Sequence, residues 1–286
     1  MSFYASSEGV AAAINRHATL WIGVLFLTIA LLPTIIGPLF VEPVQGEVLS
    51  DIPNLPPDLS HPLGTQSEGR DVLAVLMRGT PATLAIGLIG GGVALVIGSA
   101  LGFIAGFFGR RTDAIISTVV DVGLTIPPLA ILILIGASFP VVSLLAMGIV
   151  VATTAWMSSA RVIRAQVLSL KEREYVRVAR LSGAGNFHII FLELMPNLIP
   201  FLAANFVNAV TSTILASIGL EVLGLGPQQS RTLGSTIYEA MYHTAMWRGL
   251  WWWWLPPIVV LVLIFLGLFL ISIGLDRYAN PRLERH

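Results

Sequence analysis

Glu174-Tyr175-Val176-Arg177-Val178-Ala179-Arg180-Leu181-Ser182-Gly183-Ala184-Gly185-Asn186 is a polar stretch inside a chain that is mostly apolar. Tyr175, Val178, Ala179 and Ser182 fall at i, i+3, i+4 and i+7, and Arg173, Arg177 and Arg180 fall on a different face. That is the pattern of an amphipathic helix. Gly183 and the Gly185-Asn186 pair then break it as a turn does. Phe187, Ile190, Phe191 and Leu194 repeat the same spacing, and Pro196 is expected to end this second helix. The segment reads as helix, tight turn and helix, within a loop 161–196 that joins two apolar segments. Three functions fit such a loop. It lies on the membrane surface and stabilises the bundle; it is a DNA-binding helix-turn-helix, a reading opposed by the tethering of both ends to the membrane; or it docks a cytoplasmic partner, a small apolar face with a basic rim entering the partner's groove. In the last case it passes the partner's movement to the two spans it joins.

The surroundings of this loop decide the fold class. Of 286 residues, 55% are hydrophobic and 11% charged, against about 25% charged in soluble domains. Mean hydropathy is +0.83. Most of the surface therefore cannot face water. Net charge is zero, which gives no electrostatic case for nucleic acid. The chain has no cysteine, so disulfides, thiolate metal sites and cysteine nucleophiles are excluded.

Apolar segments at 20–40, 83–108, 115–137, 141–157, 198–219 and 254–274 are each read as a membrane span. The first follows Arg16, is longer than the apolar core of a signal peptide and lacks a cleavage site, so it is expected to be a retained anchor, bent near Pro33. At 1.5 Å per residue it reaches roughly 30 Å, enough to cross the hydrocarbon core. Gly90, Gly91 and Gly92 interrupt the second segment, which reads either as one helix or as two shorter pieces; one helix is preferred. Gly98, Gly102 and Gly106 recur every four residues, a face suited to close helix packing. Arg110 and Arg111, the arginines of loop 161–196, and Arg277, Arg282 and Arg285 mark the cytoplasmic side, whereas Glu42, Glu47, Asp51, Asp58, Glu68 and Asp71 dominate the segment after the first span. Both termini are then expected inside. Trp247 and Trp251 to Trp254 read as an outer interfacial belt, or less simply as a stacking surface for sugars.

The stretch Glu174-Tyr175-Val176-Arg177-x-Ala179-Arg180-x-x-Gly183-Ala184, with Met195-Pro196-Asn197 at its end, resembles the cytoplasmic coupling motif, the EAA loop, of ABC importer permeases. Arg177 stands where the general motif has Glu, a departure typical of the dipeptide/oligopeptide/nickel branch; Val178 stands where that branch usually has Ala. His61-Pro62-Leu63-Gly64-Thr65 and Gly69-Arg70-Asp71-Val72-Leu73 resemble the segment preceding the core of its "C" subunit, with Gln66 and Glu68 departing from the commoner residues. Leu223-Gly224-Leu225-Gly226 and Leu233-Gly234 resemble its second outer loop. The resemblance implies an all-α membrane protein: one N-terminal peripheral helix plus a five-helix type I permease core. The implied organisation is a cytoplasmic N-terminus 1–19, a first span 20–40, an extracytoplasmic segment 41–81, a permease domain 82–275 and a cytoplasmic tail 276–286. It also implies a second homologous permease, two ATPase subunits carrying ATP and Mg, an extracytoplasmic solute-binding protein, and a bacterial or archaeal inner membrane. ATPase coupling would fall to Arg173, Glu174, Tyr175, Arg177, Val178, Ala179, Arg180, Gly183 and Ala184. The arginines would meet acidic groups, and Tyr175 or Val178 would fill the groove. Peptides are the first cargo implied, with nickel, glutathione-like peptides and oligosaccharides carried by other members of the branch.

Nothing in the sequence supplies the nucleotide site itself. A phosphate-binding Gly-x-x-x-x-Gly-Lys-Ser/Thr needs a lysine that reaches the phosphates, and Lys171, the only lysine, sits in Leu170-Lys171-Glu172. His17, His61, His188, His243 and His286 have no metal-ligand spacing, and Ser212, Ser217 and Ser230 have no evident base. Two features leave alternatives open. Asp121, in the third span, is either an ion-coupling carboxylate of a secondary transporter or a structural group paired with Arg110 or Arg111. Pro127-Pro128 beside it kinks the helix, shaping a pore or merely fitting the bundle. Glu221 opens an outer loop carrying Arg231, Glu239 and Arg248, which either meets a binding protein or is simply solvated.

Overall fold

A computed structural model describes residues 4–139, 142–228 and 230–279. The expected start of the fourth span at Val141 and most of the tail 276–286 lie outside the described residues. Ten helices follow one another: α1 (Tyr4–Ile36), α2 (Val72–Phe108), α3 (Arg110–Thr125), α4 (Pro128–Ala137), α5 (Leu144–Leu170), α6 (Glu174–Leu181), α7 (Asn186–His188), α8 (Met195–Val222), α9 (Leu233–Tyr242) and α10 (Trp251–Ala279). A π-helical turn, Ile189–Leu194, joins α7 to α8. No strand occurs among the described residues beyond an isolated Thr65–Asp71 bridge. Among the described residues five helices are long and apolar enough to cross a membrane, and six spans result if the bent pair α3–α4 counts as one.

Helix α2 is the axis of the bundle. Asp71 starts it by accepting the Ala74 N–H at 3.0 Å, the usual role of an N-cap carboxylate. It then runs unbroken through Gly90, Gly91 and Gly92, as one helix. A methyl group added at Gly90 would lie 2.7 Å from the Gly148 carbonyl oxygen of α5, and one at Gly91 would lie 2.7 Å from the Val210 nitrogen of α8. The glycines thus admit a neighbour's backbone on either side of α2. Gly98, Gly102 and Gly106 continue this seam against Ser159, Ala160, Ile163 and Val167 of α5. Larger side chains here would force overpacking of about 1–3 kcal/mol each. Helix α1 stands to one side, packed on α10 through Gly23, Gly267 and Gly274, the peripheral helix of the expected architecture.

The third span departs from expectation. A kinked helix over 115–137 is replaced by two helices meeting at 81°. Pro127 and Pro128 have no N–H, so the carbonyls of Gly123 and Leu124 lose their helical donors and the chain turns extended at Ile126 (ψ 131°). The fourth span also differs: rather than ending near residue 157, α5 runs to Leu170.

The end of the bundle opposite α6 is closed by a polar cap. His61, buried, lies between Asp51 (3.0 Å) and Asp71 (2.8 Å). Arg70 is 3% exposed and reaches Glu68 at 2.8 Å and Glu239 at 3.4 Å; Glu239 also pairs with Arg231. Burial pulls the Arg70 guanidinium below its usual range, opposed by Glu68 and Glu47. Glu221 is not the start of a solvated loop: it is 1% exposed and accepts from the Thr232 hydroxyl at 2.5 Å. The reason is local. Helix α8 continues to Val222, so Glu221 points inward under the N-terminus of α9, where a carboxylate is favoured. Nor do the tryptophans form one belt. Trp247 and Trp251 are exposed, but Trp253 is fully buried and Trp252 donates to the Thr65 carbonyl at 3.2 Å.

Candidate coupling site and translocation path

Helix α6 is short and charged at both ends, Glu174 in its first turn and Arg180 in its last, as the helix dipole favours. It is held by one inward ridge. Val176 is fully buried among Phe103, Ile163, Val167 and Ile189, with Tyr175 and Ala179 packed beside it. This corrects the expected face. Val178 and Ser182 point outward, and Val176 takes the central inward place because α6 crosses the bundle too briefly to bury a full i, i+3, i+4, i+7 stripe. Tyr175 packs half-buried against the bundle, and burial pushes its phenol above the usual range.

The end of α6 is a Schellman turn. The Gly183 N–H donates to the Arg180 carbonyl and the Ala184 N–H to the Ala179 carbonyl, each at 3.0 Å. Gly183 has φ +84°, and nothing lies within 4 Å of where a side chain would begin. Glycine is therefore required by backbone conformation and not by space. Pro196 does not end the second helix. The Met195 N–H skips to the Ile190 carbonyl, and this π turn loosens the ladder just where a proline lacks its N–H, so the chain runs on into α8. Ile190 and Leu194 are buried, while Phe187 and Phe191 stack on each other at 6.5 Å on the outside. Val178 (56% exposed), Leu181 (89%) and Phe187 (77%) leave an uncovered apolar tip. Arg173 and Arg177 flank it in the open; the Arg180 guanidinium instead sits 5.7 Å over the Phe107 ring of α2.

The tip is tied to the bundle by groups the sequence reading did not pair. Lys171 Nζ donates to the Gly106 carbonyl at 2.8 Å, an acceptor left free because α2 stops at Gly109. Arg164 of α5 grips Asp113 of α3 with two donors, one at 2.7 Å. Asp121 pairs with Arg161 at 2.6 Å, and not with Arg110 or Arg111: those lie on its own helix about three turns away, whereas Arg161 faces it from α5. Asp113 escaped notice because its partner is on another helix; its place in the first turn of α3 was the available signal.

Of the remaining predicted residues, Pro127 forms the break and Pro128 lines a cavity of about 240 Å³ between α3, α4, α5 and α8. Thr154, Ser158, Ser159, Asn205, Asn208 and Ser212 share that lining. None of these was singled out from sequence as a path residue; hydroxyls and amides at helical spacing within apolar helices were the clue.

Residues 98–285 match the family described as binding-protein-dependent transport system inner membrane component. A protein of Brucella abortus biovar 1 (strain 9-941) named as a peptide permease is 32% identical over 99% of this chain and 94% of its own. The oligopeptide transport system permease protein OppC of Lactococcus lactis subsp. lactis (strain IL1403) is 30% identical over 78% of this chain and 76% of its own. In an inward-facing structure of the MetNI methionine ABC transporter, a chain superposes with a TM-score of 0.57 at 20% identity, covering 72% of this chain and 95% of that one, which establishes a shared fold. With an all-helical membrane architecture, a matching family profile and relatives of this identity, the chain belongs to the binding-protein-dependent transport system inner membrane components, the permeases of ABC importers.

Proposed function

We propose that this chain forms half of the translocation path of an ATP-driven peptide importer, and that a separate ATPase moves it through α6. The observation that carries the reading is the uncovered tip Val178, Leu181 and Phe187 on a helix whose opposite side is anchored by Val176. Burying each such side chain in a partner's groove would contribute about 1.5–3 kcal/mol, and Arg173 and Arg177 offer charges to its rim. Movement of α6 reaches α5 through the three residues joining them, and reaches α2 and α3 through Lys171 and the Arg164–Asp113 pair. ATP and Mg sit on the two ATPase subunits. A second homologous permease completes the path, and an extracytoplasmic binding protein delivers solute to the capped outer face. Basic loops face the cytoplasm, with both termini inside. Peptide cargo is favoured over nickel or oligosaccharide by the relatives named as peptide and oligopeptide permeases. Asp121 is spoken for by Arg161, which weighs against an ion-coupled carrier.

Uptake by proteoliposomes holding the whole transporter tests this. Tri-alanine uptake should require ATP on the ATPase side and survive ionophores that collapse ion gradients. Uptake that needs a gradient and ignores ATP would identify a secondary transporter instead.

A further inference from the structure

We infer that the cavity beneath the α3–α4 break is a solute-contact site that passes peptide-bond groups by neutral hydrogen bonds; this rests on the permease reading above. Three observations converge there. Its polar lining carries only hydroxyls and amides, with no charged side chain. Asn205 Oδ1 is buried and has no hydrogen-bond partner. The wall opposite carries Leu124 and Pro128, on either side of the break, where Pro127 and Pro128 supply no N–H to the carbonyls of the preceding turn. Irregular backbone at membrane depth is tolerated only against protein or a water-filled cavity, and broken helices in carriers expose such groups to solute.

The chemistry selects the ligand class. A peptide main chain offers alternating N–H donors and carbonyl acceptors without charge. Asn205 Oδ1 accepts from the N–H groups, as do the Thr154 and Ser212 hydroxyl oxygens, whose own protons go to the Val151 and Asn208 carbonyls, and the Ser158 hydroxyl and the Asn208 Nδ2 amide donate to the carbonyls. A site of neutral groups releases its ligand readily, because no desolvated charge pair must be broken, and it is indifferent to side-chain sequence. Asp121 pairs with Arg161 in a separate pocket, which Arg164, the partner of Asp113, also lines.

The test uses the complete transporter in proteoliposomes with tri-alanine. Asn205→Leu and Thr154→Val keep size and suit the membrane. Together they remove two hydrogen-bonding groups, so uptake per ATP hydrolysed should fall about tenfold while binding-protein-stimulated ATP hydrolysis persists. The chain has no cysteine of its own, so Asn205→Cys gives one reporter thiol, which a water-soluble methanethiosulfonate should label, more slowly when tri-alanine is being transported. Unchanged uptake in the double variant, parallel loss of ATP hydrolysis, or a thiol that never reacts overturns the site and leaves the permease reading standing. Absence of ATP-driven tri-alanine uptake by the unmodified transporter overturns the peptide-importer reading on which the site rests.

Discussion

The two ends of the bundle solve the same problem in opposite ways. Both are polar, charged and irregular compared with the spans. At the end opposite α6 several buried polar side chains find partners within the chain: His61 with Asp51 and Asp71, Arg70 with Glu68 and Glu239, and one Glu221 oxygen with the Thr232 hydroxyl. At the other end the chain anchors α6 by Val176 and then leaves Leu181, Phe187 and Val178 uncovered, with Arg177 facing Glu172 only loosely at 3.7 Å. Apolar side chains in water are unfavourable unless another surface covers them. The difference separates a region closed by its own sequence from one that leaves an apolar surface open, the surface proposed above to receive a partner. Substitutions at the outer cap should therefore damage stability first, and substitutions at the tip should damage transport first.

Leu181→Asp breaks the comparison most sharply. A charge pressed into an apolar groove without a partner is disfavoured by about 3 kcal/mol or more, roughly a hundredfold in the coupling equilibrium. ATP-driven uptake should collapse, while thermal unfolding of the purified chain in detergent stays where it was, because Leu181 touches little of its own chain. A large fall in melting temperature would mean that the tip is part of the core.

Arg70→Met is the counterpart at the other end. It strips Glu68 and Glu239 of a buried partner. Both carboxylates keep some solvent or a second cation, so the loss is set at about 2 kcal/mol, less than for a sealed pair. Thermal unfolding should come several degrees earlier, and uptake should fall only as far as folded protein is lost.

Gly183→Val sits between the two. Holding a β-branched residue at φ +84° is disfavoured by about 1–2 kcal/mol. With open space around it, the penalty falls on the turn alone. Binding-protein-stimulated ATP hydrolysis should drop about tenfold with membrane insertion unchanged, and Gly183→Asn, which tolerates the left-handed region, should recover part of it.

The smallest effect concerns pH at the outer rim. The Arg78 hydrogen bond and charge hold the Glu47 carboxyl below its ordinary 4.5. A depressed carboxylate contributes stability above its unfolded value and loses it as pH falls through the folded one. Acidification from 4.5 downward should loosen the rim, read as faster proteolysis of the 41–71 segment, and Arg78→Gln should remove that step. The tip, whose contacts are apolar, should not respond.

The sequence carried the fold well and the pairings poorly. Apolar run lengths and the Gly98, Gly102 and Gly106 register are local properties, and local periodicity is what a sequence displays. The amphipathic stretch and its Gly183 turn were legible for the same reason. The inward choice of Val176 over Val178 was not, because it depends on the angle at which α6 meets the bundle. The 81° break was only half legible: two prolines announce an interruption, but where the chain resumes depends on what α4 packs against. Asp121 with Arg161, and Glu221 under α9, join groups from different elements, and no spacing rule connects them.

The central claim is that the tip of α6 is the handle a separate motor grips. A photoreactive residue placed at Leu181 in the assembled transporter measures this directly. The account predicts crosslinking to a nucleotide-binding subunit, strengthened or shifted when ATP is added. Crosslinking confined to lipid, or to a protein on the extracytoplasmic side, would contradict it.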